Sequence, residues 1–230
     1  MHILLTDVLT CPRCGPEFGL ILLADAMAAR RVRSGSLGCA NCRERYPIVA
    51  GVADLRPPAA PSDSAAGPDQ PASGAAAPPR STCDAEAALR LAALLDLTDG
   101  GGVVLLVGPA GRLAARVAAH LAPGEVVVAA GDVAEMDGGG VSRVALPDAR
   151  LPFASRSLRG AVLAGPAAGR LLEEAARVVA PMRRLVLEEA PASARERLAR
   201  AGLEILAEEE GTLVALRRDQ PDPPRLYQLL

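Results

Sequence analysis

The chain has 230 residues, half of them apolar, and a formal net charge of −2, which is room for one domain of average size, a small module and a sizeable core. No stretch approaches the ~18 to 20 uninterrupted apolar residues of a membrane span, and the start, from Met1 to Asp7, lacks the basic and apolar regions of a secretion signal, so a cytoplasmic location is expected. All 25 basic side chains are arginine, seven against five acids over residues 1 to 56 and seventeen against twenty over 81 to 230. Lysine Schiff-base and lysine general-base chemistry are excluded, and direct binding of nucleic acid is not expected.

Cys11-Pro-Arg-Cys14 and Cys39-Ala-Asn-Cys42 are two Cys-x-x-Cys pairs separated by twenty-four residues. Each pair can form a knuckle that points both thiolates at one ion, and together they make a closed, four-cysteine structural zinc site. Two disulfides, or four unrelated core cysteines, are the competing readings, and the lack of an export signal weighs against the first. With all four positions filled by thiolates the metal holds the fold and performs no chemistry, a clip that so short a module needs. Strands are expected around residues 18 to 23 and 31 to 38.

The segment Leu9-Thr-Cys-Pro with Cys14, then Gly35 to Cys42, then Tyr46-Pro-Ile with Gly51-Val52, resembles the zinc-ribbon family of the tRNA methyltransferase activator subunit. The resemblance covers about the first 56 residues. It implies a non-catalytic ribbon that binds and stabilises a methyltransferase domain, often by extending its sheet. Arg30, Arg31 and Arg33 are either a contact patch for RNA or an acidic partner, or a solvated loop.

Residues 57 to 80 contain seven prolines and otherwise no apolar side chain larger than alanine, so they read as a linker. Ser81-Thr-Cys-Asp84 supplies an N-cap pattern for a helix from about 84 to 97, with Cys83 as a lone thiol near its start. The domain plan is thus a zinc ribbon (1–56), a linker (57–80), a Rossmann-type domain (81–218) and a proline-rich tail (219–230).

Val103-Val-Leu-Leu-Val107 runs into the turn Gly108-Pro-Ala-Gly111 and a helical pattern, as the first strand of a Rossmann-type sheet does. Beyond it strand and helix alternate, which argues for an α/β fold with a parallel sheet covered on both faces. Strands are expected near 103–107, 125–130, 142–146, 159–164 and 183–189, helices near 111–121, 168–180 and 192–201, and an antiparallel hairpin over 203–218 broken at Gly211.

This order, with Asp148-Ala-Arg-Leu-Pro-Phe153 and the stretch from Leu171 to Leu187, resembles a class I S-adenosylmethionine-dependent methyltransferase over roughly residues 84 to 218. The resemblance implies S-adenosylmethionine at the turn carrying Gly108 and Gly111, an acid such as Asp132 on the ribose, and Asp148 at the adenine. The cofactor motifs depart from the family's pattern. Leu106 stands where the first strand should end in an acid, the glycine turn is one residue short, and Pro109 removes an amide donor while Ala110 adds a β-carbon. Gly131 competes with Asp132 for the ribose position, and Asp148 reads equally as a turn cap. The segment from Ala164 to Gly169 offers no polar group to a methyl acceptor.

His2 and His120 are remote from each other in sequence and lack partners that would make either a catalytic base. Three readings follow. One is a ribbon tethered to a methyltransferase-like domain that has lost catalysis, a regulatory or scaffolding subunit with a protein partner, either a methyltransferase or a second copy. The second is an active, divergent methyltransferase on a small molecule or protein. The third is a ribbon that activates a separate methyltransferase in trans.

Overall fold

A computed structural model describes residues 1–57, 82–97, 101–121, 124–129 and 141–219, with backbone alone at 82–83 and 124–129. The expected linker and tail, and Asp132, lie outside the described residues, apart from Pro57 and Asp219 at the inner ends of linker and tail.

The first module is an antiparallel succession of β1 (Thr10–Cys11), β2 (Gly15–Ala28), β3 (Arg31–Cys39), β4 (Arg45–Val49) and β5 (Val52–Asp54). Two tight turns set its registers. Ala29 and Arg30 join β2 to β3 with φ of 47° and 62°, and Ala50 and Gly51 join β4 to β5 with φ of 49° and 78°. Two successive positive φ values match the right-handed twist of the flanking strands, which is why such two-residue turns close hairpins. On one face Leu20, Val32, Leu37, Tyr46, Ile48 and Ala53 are buried.

The second part supplies β6 (Gly102–Val107), β7 (Gly124–Ala129), β8 (Val141–Ala145), β9 (Leu158–Ala164), β10 (Val179–Glu188), β11 (Leu203–Glu209) and β12 (Thr212–Arg217). Their spatial order is β8-β7-β6-β9-β10-β12-β11. All pairs from β8 to β10 are parallel, and the β11/β12 hairpin closes the edge antiparallel. This is a Rossmann-like sheet of the methyltransferase type with its C-terminal antiparallel hairpin. Helices α1 (Thr82–Leu94) and α2 (Ala114–Ala118) cover one face, packed with Val104, Leu106, Val162 and Val186. Helices α3 (Pro166–Arg170), α4 (Leu172–Val178) and α5 (Ala194–Arg200) lie on the other side with Leu105, Leu163, Leu185 and Leu187. Burial on both faces explains the aliphatic runs at 103–107 in β6 and 161–164 in β9.

Helix α1 has no basic residue in its last turn. The sheet provides the cations instead: Arg184 donates to Ala93 O and Leu94 O, and buried Arg159 donates to Asp96 O and Gly101 O. Positive charge at the carbonyl end satisfies orphan acceptors and the helix dipole together.

Three expected elements differ from those observed, the first being the helix near 111–121, which is a 3-10 turn (Gly108–Leu113) running into the short α2 (Ala114–Ala118). The single helix over 168–180 is two short ones, broken at Leu171 (φ −108°), and residue 179 is already extended (φ −66°, ψ 131°). Strand β10 begins there and not near 183, because Val179 pairs with Leu158 ahead of the main β9/β10 ladder. The β-branched pair Val178-Val179 favours that change of state, and helical periodicity alone hides it.

The two parts form one continuous sheet. Val52, Ala53 and Asp54 of β5 pair in parallel with Arg143, Val144 and Ala145 of β8. A second seam joins Leu9 to Phe153 in an antiparallel bridge, with Thr10 N donating to Pro152 O at 2.9 Å and Ala154 N to Val8 O at 2.8 Å. His2 N donates to Ser142 Oγ, Arg31 to Val141 O and Arg143 to Ala50 O.

Candidate metal centre and the crevice of the sheet

Cys11 ends β1 and Cys39 ends β3, with Cys14 and Cys42 in the loops that follow, and the four sulfurs all lie within 4.8 Å of one another. Cys11 Sγ stands 3.7 Å from Cys42 Sγ, and Cys14 Sγ 3.8 Å from Cys39 Sγ. Four thiolates held at ~2.3 Å from a tetrahedral zinc ion stand about 3.8 Å apart. A disulfide requires ~2.05 Å, so the spacing fits a metal and not two crosslinks. The local donors fit too. The amide of Cys14 points at Cys11 Sγ, and Asn41 Nδ2 donates to Cys14 Sγ, second-shell bonds that orient thiolates.

Burial disfavours the Cys11 thiolate, yet the Tyr46 hydroxyl at 3.5 Å and the amides of Cys14 and Arg13 outweigh it, and its pKa is lowered to about 7. Cys42 receives help from the Glu44 amide, but burial and the three other thiols push it up to about 12. Four thiols this close cannot all ionise without a cation among them. Tyr46 is itself held neutral by burial and by Cys11.

Ligands of open α/β sheets bind outside the carboxyl ends of the strands where the strand order reverses, here between β6 and β9. Gly108 and Gly111 both stand there. Gly108 has φ +76°, and a β-carbon on it would lie 2.6 Å from Ala164 O, the last residue of β9. Strand-to-strand packing thus requires a glycine there. Residues Gly108–Leu113 form a 3-10 turn with Pro109 in its first positions, and Ala110 and Gly111 are buried. Across the crevice, a β-carbon on Gly165 would lie 3.7 Å from Pro109 Cδ and 3.8 Å from Glu189 Oε2. The proline ring and a carboxylate therefore stand at ordinary contact distance beside the reversal point, and Leu106 behind them is fully buried.

Asp148 follows β8 on the loop that leads to Phe153. Its side chain is 96% exposed, with Arg170 at 3.3 Å as its ion-pair partner. The structure thus brings the four cysteines together and places the two glycines at the crevice. It does not turn Asp148 inward.

Glu174 and Arg177 form a clasp that sequence reasoning missed. Arg177 donates to Leu151 O and Phe153 O, both at 2.8 Å, and to both carboxylate oxygens of Glu174, while Glu174 accepts the amide of Leu151 at 3.0 Å. This pair holds the loop that docks on the first module. Its only trace in the sequence is a Glu and an Arg at i, i+3, a spacing common on helix surfaces. Beside it a cleft runs along the seam, lined by Thr10, Pro12, Pro16, Arg150, Pro152 and Arg177.

No helix of the described residues is long and apolar enough to cross a membrane. No family model matches the chain, and no curated protein matches it. Solved structures are similar to it over part of its length. The (4+2)-cyclase SpnF is 21% identical over 54% of this chain with a TM-score of 0.44, and the chain spans 58% of the cyclase's length. The Haloferax volcanii complex between the Trm112 methyltransferase activator and a candidate methyltransferase is 18% identical, covering 59% of this chain and 89% of that one, with a TM-score of 0.47. The N-methyltransferase NodS of Bradyrhizobium japonicum is 16% identical, covering 56% and 92%, with a TM-score of 0.39.

Proposed function

We propose that this chain is a zinc ribbon fused to a methyltransferase-like domain that does not catalyse methyl transfer, and that it works as a regulatory or scaffolding subunit with a protein partner. The observation that carries the reading is Asp148, the acid expected at the adenine, whose side chain is 96% exposed and paired with Arg170 where a nucleotide cofactor would need it turned into the crevice. The residues present do not fit S-adenosylmethionine. Gly108 is spoken for by Ala164, Gly111 is buried, and Asp148 faces solvent beside Arg170.

Zinc fits. Cys11, Cys14, Cys39 and Cys42 would hold it, and it would fix the two knuckles that frame β2 and β3 and so keep the ribbon in shape to pair with β8. A ribbon that activates a separate methyltransferase in trans is disfavoured by the same pairing, since β5 already spends its free edge on β8 of its own chain.

The test is calorimetric titration of the zinc-loaded protein with S-adenosylmethionine and with its demethylated product. No heat up to millimolar ligand is expected. Micromolar binding that is lost in Asp148→Ala would overturn the reading in favour of an active enzyme using Gly108, Gly111, Asp132 and Asp148.

A further inference from the structure

A second cleft, of about 350 Å³, lies at the amino end of β9, the end of that strand remote from the crevice. Its lining includes Ser155, Arg156, Glu173, Ala176, Arg177 and Arg217. The loop before β9 supplies Ser155 and Arg156, α4 supplies Glu173 and Arg177, and β12 ends in Arg217. Because β12 runs antiparallel to β10, its last residue comes to the end of the sheet at which β9 and β10 begin. Three arginines from three separate elements therefore converge on one cleft.

Arg217 is a buried cation, its side chain only 9% exposed. A guanidinium is costly to bury unless its donors are met. One nitrogen donates to Ala176 O and another to Asp219 Oδ2 at 2.5 Å, but Nε has no partner among the described residues. The same Asp219 oxygen accepts from Arg156 at 3.3 Å, so one carboxylate oxygen lies between two guanidiniums. Each guanidinium is a planar fork suited to two oxygens at once, and a single oxygen cannot engage two forks in that way. Glu173 does not compete, since Arg197 holds both its oxygens, at 2.6 Å and 2.5 Å. Ser155 Oγ accepts from Arg177 at 3.2 Å, which leaves its own proton to donate.

We infer that this cleft is an oxyanion site for a phosphate group, free or carried by a small ester, and that the Asp219 carboxylate is a resident stand-in which the ligand displaces. A phosphate brings about three acceptor oxygens and a charge of roughly −1.5 to −2 at neutral pH, where Asp219 brings one engaged oxygen and a single charge. It can meet the forks of Arg156 and Arg217 together and accept the Ser155 proton. The volume lies near the lower end for small-molecule sites, roughly 300 Å³, which suits a phosphate with a few further atoms. The crevice and this cleft stand at opposite ends of β9, so the inference holds whether or not the crevice takes a cofactor.

The experiment is calorimetric titration of the full-length, zinc-loaded chain with inorganic phosphate and with glycerol phosphate. Saturable binding is expected. A tighter ester makes the ligand a small phosphomonoester, and a free ion that binds as tightly or more so makes it phosphate itself. Asp219→Asn removes the charge of the resident group and should tighten binding by about ten-fold or more, the worth of a charge-assisted contact. Arg156→Gln, a change on an exposed side chain that the fold tolerates, should weaken it by about as much. Arg30→Gln, on the exposed turn of the ribbon, should leave it unchanged. Binding seen in Asp219→Asn alone would also support the site, with the carboxylate as its occupant in the parent. No binding in either protein, equal affinity in the parent and Asp219→Asn, or an affinity unmoved by Arg156→Gln would overturn the inference.

Discussion

The amide of Leu55 donates to the carbonyl of Ala145 at 2.9 Å, one residue beyond the β5/β8 ladder, and Leu55 is fully buried. Residues ninety apart in sequence are thereby tied into one sheet, and Leu9, Phe153 and Leu151 close the second seam with no more than 1% exposure. The ribbon and the Rossmann-like sheet should accordingly unfold together. Phe153→Ala removes a buried aromatic ring at the point where the two parts meet, a loss of about 3 to 5 kcal/mol. Calorimetry should show one transition in the parent chain. The variant should melt lower, with its ribbon transition separating from the rest; two resolved transitions in the parent would mean that the seam contributes little.

The four-cysteine cluster borders this second seam, Cys11 following Thr10, whose amide donates to Pro152 O, so its disruption should be felt across the seam. Cys39→Ser removes one of four thiolates whose sulfurs are already at tetrahedral spacing. Elemental analysis should find one zinc per parent chain and well under one in the variant, with a lower melting temperature for the whole chain. Chelator treatment of the parent should reproduce that drop, and re-addition of zinc should reverse it.

Local chemistry was legible in the sequence wherever a short motif sufficed. The Cys-x-x-Cys spacing foretold the cluster, and the run from Val103 to Val107 foretold the central strand, because each is written within a few residues. Contacts between distant segments leave no such mark. The parallel pairing of Val52 with Arg143 has no period to betray it, and the extension of a methyltransferase sheet by the ribbon entered only through a family resemblance. Gly108 carries two meanings that the sequence does not separate: a glycine after a first strand suggests a ligand, and the close approach of Ala164 also requires one. The Glu174 and Arg177 clasp was hidden because its partners are backbone carbonyls on a loop more than twenty residues away.

That clasp gives a pH dependence with a definite sign. Burial opposes the Glu174 carboxylate, but the guanidinium of Arg177 and the amide of Leu151 prevail and hold its pKa below the ordinary value. A carboxyl depressed on folding contributes stability above its unfolded pKa, ~4.3 for glutamate, and that contribution is lost as pH falls through the lower folded value. Denaturant midpoints should therefore decline as pH falls below about 4. Glu174→Gln should be less stable than the parent at pH 7 and should show less of that acid decline. An identical acid limb in the two proteins would assign it to other carboxylates.

Gly108→Ala separates a packing role from a cofactor role. Its β-carbon would meet Ala164 O at 2.6 Å, a backbone atom with nowhere to retreat in a buried strand, and the residue would hold φ +76°. Strain of this kind costs about 1 to 3 kcal/mol, so the variant's melting temperature should fall in the absence of any ligand. Gly165→Ala shares a positive φ of 61° but has its nearest neighbours at 3.7 Å and 3.8 Å, so its loss should be the smaller of the two. If instead Gly108→Ala were as stable as the parent, the close approach of β6 to β9 would be wrong, and the glycine would again need a ligand to explain it.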